Sequence, residues 1–244
     1  MDFVKKPTVK FNDIGVTLYS LLPNPPQQHS NILQRIKIYK GDITLIRVDA
    51  IVNPANAFVV NGTGLTGLIF QKSCADSSSP LKSACINASG RENKTMTKSY
   101  TSLNNNTTES DYKETLTLNP GAVGRGCYIT PAFRLPSKYI IHVAGPNNGV
   151  GGSEIEKKFK KELLEKSYTS CLIAANEHSD IYTIAFCSIS TGIFAYPIGE
   201  ASKIAMQTVY DFLKTNNKLT CLFCLYDDKD YGNYKGAITD IKLE

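Results

Sequence analysis

An α/β fold, with a largely parallel sheet and helices on both faces, is what this sequence predicts from three observations. Short β-branched or apolar runs (RIKIYK, VDAIVN, KYIIHV, IYTIAF, KLTCLF) recur along most of the chain. Segments with apolar residues at helical spacing stand between them. Two strand-to-helix junctions carry glycine. Strands that alternate with helices bury a sheet on both faces, and in such sheets a ligand sits outside the carboxyl ends of the strands.

Residues 1–35 read as an N-terminal extension, with a possible short strand in VTLYSLL and an irregular, breaker-rich connection in PNPPQQHSN. The domain proper spans 36–244. RIKIYK and VDAIVN are its first strands, and LTGLIFQKS, with apolar positions 65, 68 and 69, opens its first long helix. Residues 87–120 are dense in Asn, Ser, Thr and Lys with few large aliphatics, so they read as an exposed polar insertion. GCYITPAF and KYIIHVAGP follow as strands. Ser153 and Glu156 form a capping box ahead of a helix whose apolar face is Ile155, Phe159, Leu163, Leu164, Tyr168, Cys171, Leu172 and Ala175. Its lysines (Lys157, Lys158, Lys160, Lys161) are assigned to the solvated face. The order closes with strand IYTIAFCSIS, loop STGIFAYP, helix EASKIAMQTVYDFLK, strand KLTCLFCLY and a last helix in DYGNYKGAITDI.

The bulk numbers narrow the function. The 244 residues with 42% hydrophobic content suffice for one large domain with a sizeable core. A net charge of +5 is mild and spread along the chain, which suits a small anionic ligand better than a nucleic acid; a nucleic-acid-binding α/β domain rests only on that charge and on Tyr and Phe content. MDFVKKPTVK lacks the apolar core of a secretory signal, and no stretch approaches the roughly 20 apolar residues that cross a bilayer. The expectation is an intracellular protein, cytoplasmic or nuclear, with no membrane partner. Seven cysteines, odd in number and mostly in apolar segments, read as reduced buried thiols. Cys221 and Cys224 lie on one strand with opposite facing, and no second Cys/His pair stands at ligand spacing, so no metal or other cofactor is expected. His142, inside YIIHVAG, reads as a satisfied core histidine.

The two glycine-bearing loops carry the functional signal. Gly62 and Gly64 let backbone N–H groups approach a phosphate, and the helix start at Leu65 to Gly67 adds unpaired donors and positive dipole potential. Ser190, Thr191, Gly192, Ile193 and Phe194 offer hydroxyl and N–H donors around one glycine. Together the loops suit the two phosphates of a pyrophosphate. Neither has the spacing of a dinucleotide or nucleoside-triphosphate loop.

KGDITLIRVDAIVNPAN, NGTGLTGLI, TPAFRLPSKYIIHVAGP, IAFCSISTGIFAYP and FCLYDDKDYGNY, in that order, resemble the successive signature segments of the macrodomain family, closest to the branch that hydrolyses mono-ADP-ribose from proteins. The resemblance covers about residues 36 to 242 apart from the insertion. It implies a three-layer α/β/α sandwich around a central mixed, largely parallel sheet, with ADP-ribose along its crest. On that resemblance Asp42 accepts from the adenine amino group and Ile43 supplies a backbone contact. A carboxylate there selects adenine, which donates, over guanine, which presents a carbonyl. Tyr226 matches the position that packs on the adenine ring. Gly62, Gly64 and Leu65 match the first phosphate loop, with Thr63 between them also placed against the substrate, Ser190 to Phe194 match the second, and Phe194 covers the distal ribose.

Asn56 matches the asparagine that, in the hydrolases, bonds the distal ribose and orients a water. Ten positions on, that branch has an aspartate where this chain has Thr66, which cannot accept a proton as a carboxylate does. Some viral macrodomains also lack the aspartate and still hydrolyse, relying on the asparagine and the substrate's own phosphate. Thr63 and Asn61 replace loop glycines near the distal ribose. Two functions therefore follow from the resemblance. The first is a mono-ADP-ribosyl hydrolase, acting on the ester to a protein Asp or Glu or on O-acyl-ADP-ribose, in which Asn56, Phe194 and Thr66 act on the distal ribose; the second is a reader of ADP-ribose or ADP-ribosylated protein without turnover.

Overall fold

The computed structural model describes residues 8–56, 59, 61–74, 80–89, 126–148 and 154–243. The chain first forms β1 (Val9–Lys10), β2 (Val16–Thr17), α1 (Leu18–Leu21), α2 (Ser30–Gln34), β3 (Ile36–Lys40), β4 (Ile46–Arg47) and β5 (Ala50–Pro54). There follow α3 (Gly64–Ser73), α4 (Pro80–Ser89), β6 (Cys127–Pro131), β7 (Tyr139–Val143) and α5 (Glu154–Glu177). The order ends with β8 (Thr183–Phe186), α6 (Ile198–Thr215), β9 (Thr220–Leu225) and α7 (Asp228–Ala237). Most of the polar insertion expected at 87–120 lies outside the described residues, as does Ser153, the expected helix cap; residues 87–89 end α4.

The main sheet has seven strands in the order β2-β3-β9-β8-β5-β7-β6. Its inner pairs, β3 with β9, β9 with β8, β8 with β5 and β5 with β7, are all parallel, whereas β2 and β6 run antiparallel at the two edges. The sheet is thus mixed and largely parallel. All five inner strands end at the same edge, so the segments after Lys40, Pro54, Val143, Phe186 and Leu225 crowd together there.

Alternation along the buried strands sends side chains to two covered faces. Phe186 and Phe223 are register partners, and they meet Tyr168 of α5 and Tyr234 of α7 at ring-centroid distances of 5.0 to 6.3 Å. His142 of β7 points the other way, edge-on to Phe70 of α3 and beside Cys85 of α4. Helices therefore cover both faces and the architecture is three-layered. On α5, Phe159, Leu163, Leu164, Tyr168, Cys171, Leu172 and Ala175 are buried as expected. Ile155 is not; it stands 54% exposed in the first turn. Lys160 also departs from its assignment to solvent, being only 2% exposed. Burial lowers its pKa, opposed by the charge of Glu156 one turn earlier.

Residues 8–35, before β3, are built into the domain. β2 extends the sheet at its edge, Phe11, Ile14, Leu18 and Leu33 are buried, and the breaker-rich connection runs into α2, which starts at Ser30. The VTLYSLL strand reduces to two residues because Thr17 caps a helical turn, accepting from the Ser20 N–H.

His142 is a core residue held by hydrogen bonds. Asn53 Nδ2 donates to its Nδ1 at 3.0 Å, which leaves Nε2–H to donate to Thr130 Oγ1 at 2.8 Å. Burial pushes its pKa down to about 3, so it stays neutral. Cys221 and Cys224 are both buried on β9, and burial raises both thiols, Cys221 to about 12, which removes them from thiolate chemistry. Among the described residues no helix is long and apolar enough to cross a membrane, and no group of three His, Cys, Asp or Glu side chains can hold a metal ion.

At the edge opposite the crowded loops, Asp49 ties β5 to β8. Its Oδ2 accepts from Tyr182 N, Thr183 N and Thr183 Oγ1 at 3.0, 2.9 and 2.9 Å, and Oδ1 pairs with Lys138 Nζ at 2.7 Å. Burial raises the Asp49 pKa, but these hydrogen bonds outweigh it and the net is a lowered value. A group with a depressed folded pKa stabilises above its unfolded pKa and ceases to do so as pH falls through the folded one. Asp49→Asn is therefore expected to cost about 2 kcal/mol at pH 7. The difference from the parent should shrink as pH drops below the ordinary value of 3.8. Urea unfolding at a series of pH values measures it.

Candidate active site

Two adjacent strand ends, β3 and β9, build one end of the crest. Gly41 N donates to Leu225 O at 2.8 Å and the Cys224 thiol donates to Gly41 O at 3.3 Å, so the turn after β3 lies against the exit of β9. Asp42 caps the short 3-10 turn Ile43–Leu45, with Oδ1 accepting from Thr44 N at 2.9 Å and from the Thr44 hydroxyl. Its Oδ2 pairs with Lys72 Nζ at 2.7 Å. Burial raises the Asp42 pKa; the hydrogen bonds from Lys72 and Thr44 and the Lys72 charge outweigh it, so the carboxyl is held below its ordinary value. Tyr226, the residue after the end of β9, is 79% exposed.

The centre of the crest is made by the loops after β5 and β8. An ideal Cβ on Gly62 would stand 3.4 Å from Asn56 Nδ2 and 3.7 Å from Thr66 Cγ2, so Asn56, Gly62 and Thr66 surround one spot. A Cβ on Gly64, whose φ is +61°, would stand 3.8 Å from Ile193 Cδ1 of the other loop. The two loops face each other across a narrow gap. α3 begins at Gly64, so the N–H groups of its first turn precede the ladder; the first bond runs from Gly67 N to Thr63 O at 3.4 Å.

The second loop is pinned from several sides. Tyr196 N donates to Ser190 O, Ala195 N to Gly192 O and Asn148 N to Phe194 O, at 2.9, 2.9 and 2.7 Å. Beneath it, Ile189 N donates to Tyr168 Oη at 3.1 Å and Tyr234 Oη to Ser188 Oγ at 3.1 Å, both tyrosines being fully buried. The N–H groups of Gly192, Ile193 and Phe194 find no partner among the described residues. Of the four described non-glycine residues with left-handed φ, Val59, Ser190 and Ala195 (52°, 69° and 51°) lie in these two loops, and Phe133 lies elsewhere. Left-handed backbone at non-glycine residues costs about 1 to 3 kcal/mol each and collects at functional sites.

A sequence profile of the family described as Macro domain matches residues 103–205. A protein-ADP-ribose hydrolase of Staphylococcus aureus is 34% identical over 89% of this chain and 74% of its own length. The chain belongs to the macro domain family. The ADP-ribose glycohydrolase MACROD2 of Xenopus laevis is 32% identical over 89% of this chain, which spans only 43% of that relative. A solved macrodomain of Oceanobacillus iheyensis with ADP superimposes with a TM-score of 0.64 at 28% identity, over 84% of this chain and 90% of that one. The profile omits the first loop, while the full-length relatives span it.

In this macrodomain the expected residues gather at one edge: Asp42, Ile43 and Tyr226 at the β3/β9 end, Asn56 and 62–66 after β5, and 190–194 after β8. Three side chains are engaged otherwise than expected. The Thr66 hydroxyl donates to Pro54 O at 3.0 Å and the residue is buried, so its proton is committed to closing the turn after β5. Thr191 Oγ1 donates to Ser188 O at 3.1 Å, and Ser190 Oγ is buried against Gly145. The second loop thus presents main-chain amides rather than hydroxyls. Thr63 stands at the cap position of α3 without a side-chain cap bond, exposed at the rim with Gly62 and Gly64. Sequence reasoning missed Lys72, Asn148, Gly145 and the Tyr168/Tyr234 pair. Only the glycine after a strand end, at Gly145, carried a local signal.

Proposed function

We propose that this macrodomain binds ADP-ribose along the crest and hydrolyses the bond between the distal ribose and a protein Asp or Glu side chain. The observation that carries the reading is the meeting of the two loops: Asn56, Gly62 and Thr66 around one spot, with Ile193 across the gap from Gly64. The names of the relatives, a protein-ADP-ribose hydrolase and an ADP-ribose glycohydrolase, support it, as does ADP in the Oceanobacillus neighbour.

In this reading the first turn of α3 and the amides of Gly192 to Phe194 take the two phosphates. Asp42 accepts from the adenine amino group and Tyr226 stacks on the ring. Phe194, fixed through its carbonyl to Asn148, lies on the distal ribose. Asn56 orients the ribose and a water, which attacks the anomeric carbon as the bond to the protein carboxylate breaks. The water proton passes to the bound phosphate, since no side-chain carboxylate stands at position 66. ADP-ribose and the free Asp or Glu are released.

The same Thr66 geometry favours a second reading, a reader of ADP-ribosylated protein that binds without turnover. Two measurements separate them. Calorimetric titration should give selective binding of ADP-ribose over ADP, AMP and NAD; no selectivity sinks both readings. Release of ADP-ribose from a modified protein by the parent supports the hydrolase, and Thr66→Asp is expected to raise that rate about tenfold by supplying a carboxylate base. Tight binding with turnover only in Thr66→Asp assigns the reader.

A further inference from the structure

The ADP-ribose reading makes Asp42 the residue that recognises the base, and the structure shows what holds Asp42. Lys72 Nζ donates to Asp42 Oδ2 and to Thr44 Oγ1, each at 2.7 Å, while the Thr44 hydroxyl and N–H both donate to Asp42 Oδ1. The three side chains close a ring in which each carboxylate oxygen has an assigned donor. Lys72 sits in the last turn of α3, whose first turn flanks the phosphate gap. From Gly64 to Lys72 the helix rises about 12 Å. One rigid element thus joins the amides offered to the diphosphate with the ammonium that holds the base-recognising acid.

We propose that Lys72 is the positioning residue for purine selection: it fixes the Asp42 carboxylate in one orientation, so that the site takes a 6-amino purine and rejects a 6-oxo purine. The inference rests on the ADP-ribose reading. A fixed carboxylate is acceptor-only, and it meets the amino group of adenine but opposes the carbonyl of hypoxanthine. The Asp42 side chain is only 19% exposed, so without the cation a partly buried charge stands uncompensated. It then turns towards water or takes up a proton, and a protonated carboxyl donates to a 6-oxo group as readily as it accepts from a 6-amino one.

Titration of the whole chain with ADP-ribose and with its hypoxanthine counterpart tests this on the parent, Lys72→Met and Lys72→Arg. Lys72 is 33% exposed at its side chain, so methionine keeps the stem at little risk to the fold. The parent should prefer ADP-ribose. Lys72→Met should lose about tenfold in affinity for ADP-ribose while holding the hypoxanthine ligand within about twofold, which narrows the preference; Lys72→Arg should restore most of it. An unchanged preference in Lys72→Met overturns the inference. So does equal weakening of both ligands, which would place the lysine's effect on the shared diphosphate or on the fold. If the parent binds neither ligand, the ADP-ribose reading itself fails, and the inference with it.

Discussion

Asn56→Ala is expected to slow release of ADP-ribose from a modified protein by about 100-fold or more, with ADP-ribose affinity changed by less than about tenfold. The asymmetry follows from where the side chain stands. Asn56 lies just past the end of β5, and its Nδ2 reaches to 3.4 Å from the place a Cβ would occupy on Gly62. Its main chain is fixed independently of the side chain: Asn56 O accepts from Val59 N at 2.9 Å, and Val59 is buried in a left-handed conformation. Alanine therefore removes a donor and an acceptor from the end proposed for the distal ribose, while the Asn56 O–Val59 N bond is kept. The diphosphate amides and Asp42 are untouched, so most of the binding remains. The Thr66 hydroxyl proton, already donated to Pro54 O, is not free to replace it. Single-turnover release, with the Kd measured in parallel, separates the two effects. A rate within fivefold of the parent would remove Asn56 from the reaction.

The fold was legible because every inner strand is a short apolar run followed by a recognisable turn, and the loops were legible because glycine marks both. What escaped reading is what depends on contacts across the fold. Lys72 looks like an ordinary charge in the last turn of a helix; only the return of α3 over the turn after β3 brings it to Asp42, 30 residues earlier. Lys160 reads as a solvated charge like its lysine neighbours, yet on α5 it is buried. Ser190 and Thr191 read as donors to a phosphate from their residue type alone. A left-handed φ of 69° at Ser190 turns its hydroxyl inward, a conformation that serine does not advertise. Residues 1–35 read as an extension because the breaker-rich PNPPQQHSN separates the first apolar run from β3, yet a few apolar side chains, Phe11, Ile14, Leu18 and Leu33, suffice to seat residues 8–35 on the core.

That inward turn makes a second large effect predictable at Gly145. It follows β7 and runs beside the second loop, where an added Cβ would lie 2.2 Å from Ser190 Oγ and 2.5 Å from Ile189 Cγ2. Neither atom has an easy escape. The Ile189 side chain is fully buried, and Ser190 Oγ is the first atom beyond its Cβ, enclosed and without a hydrogen-bond partner in the structure. Gly145→Ala must therefore displace the backbone of the loop, straining the Tyr196 N–Ser190 O and Asn148 N–Phe194 O bonds that aim its amides. Overpacking of this kind costs about 2 to 3 kcal/mol, so Tm should fall by about 4 to 9 °C. ADP-ribose affinity should drop by about 30-fold or more, because the Gly192 to Phe194 amides no longer converge on one phosphate. Gly192→Ala is the control for the fold: no atom lies within 4 Å of its Cβ, so its Tm should stay with the parent. If Gly145→Ala binds and melts like the parent, the second loop does not need the close approach of the β7 exit, and its amides are aimed by Tyr168 and Tyr234 from below.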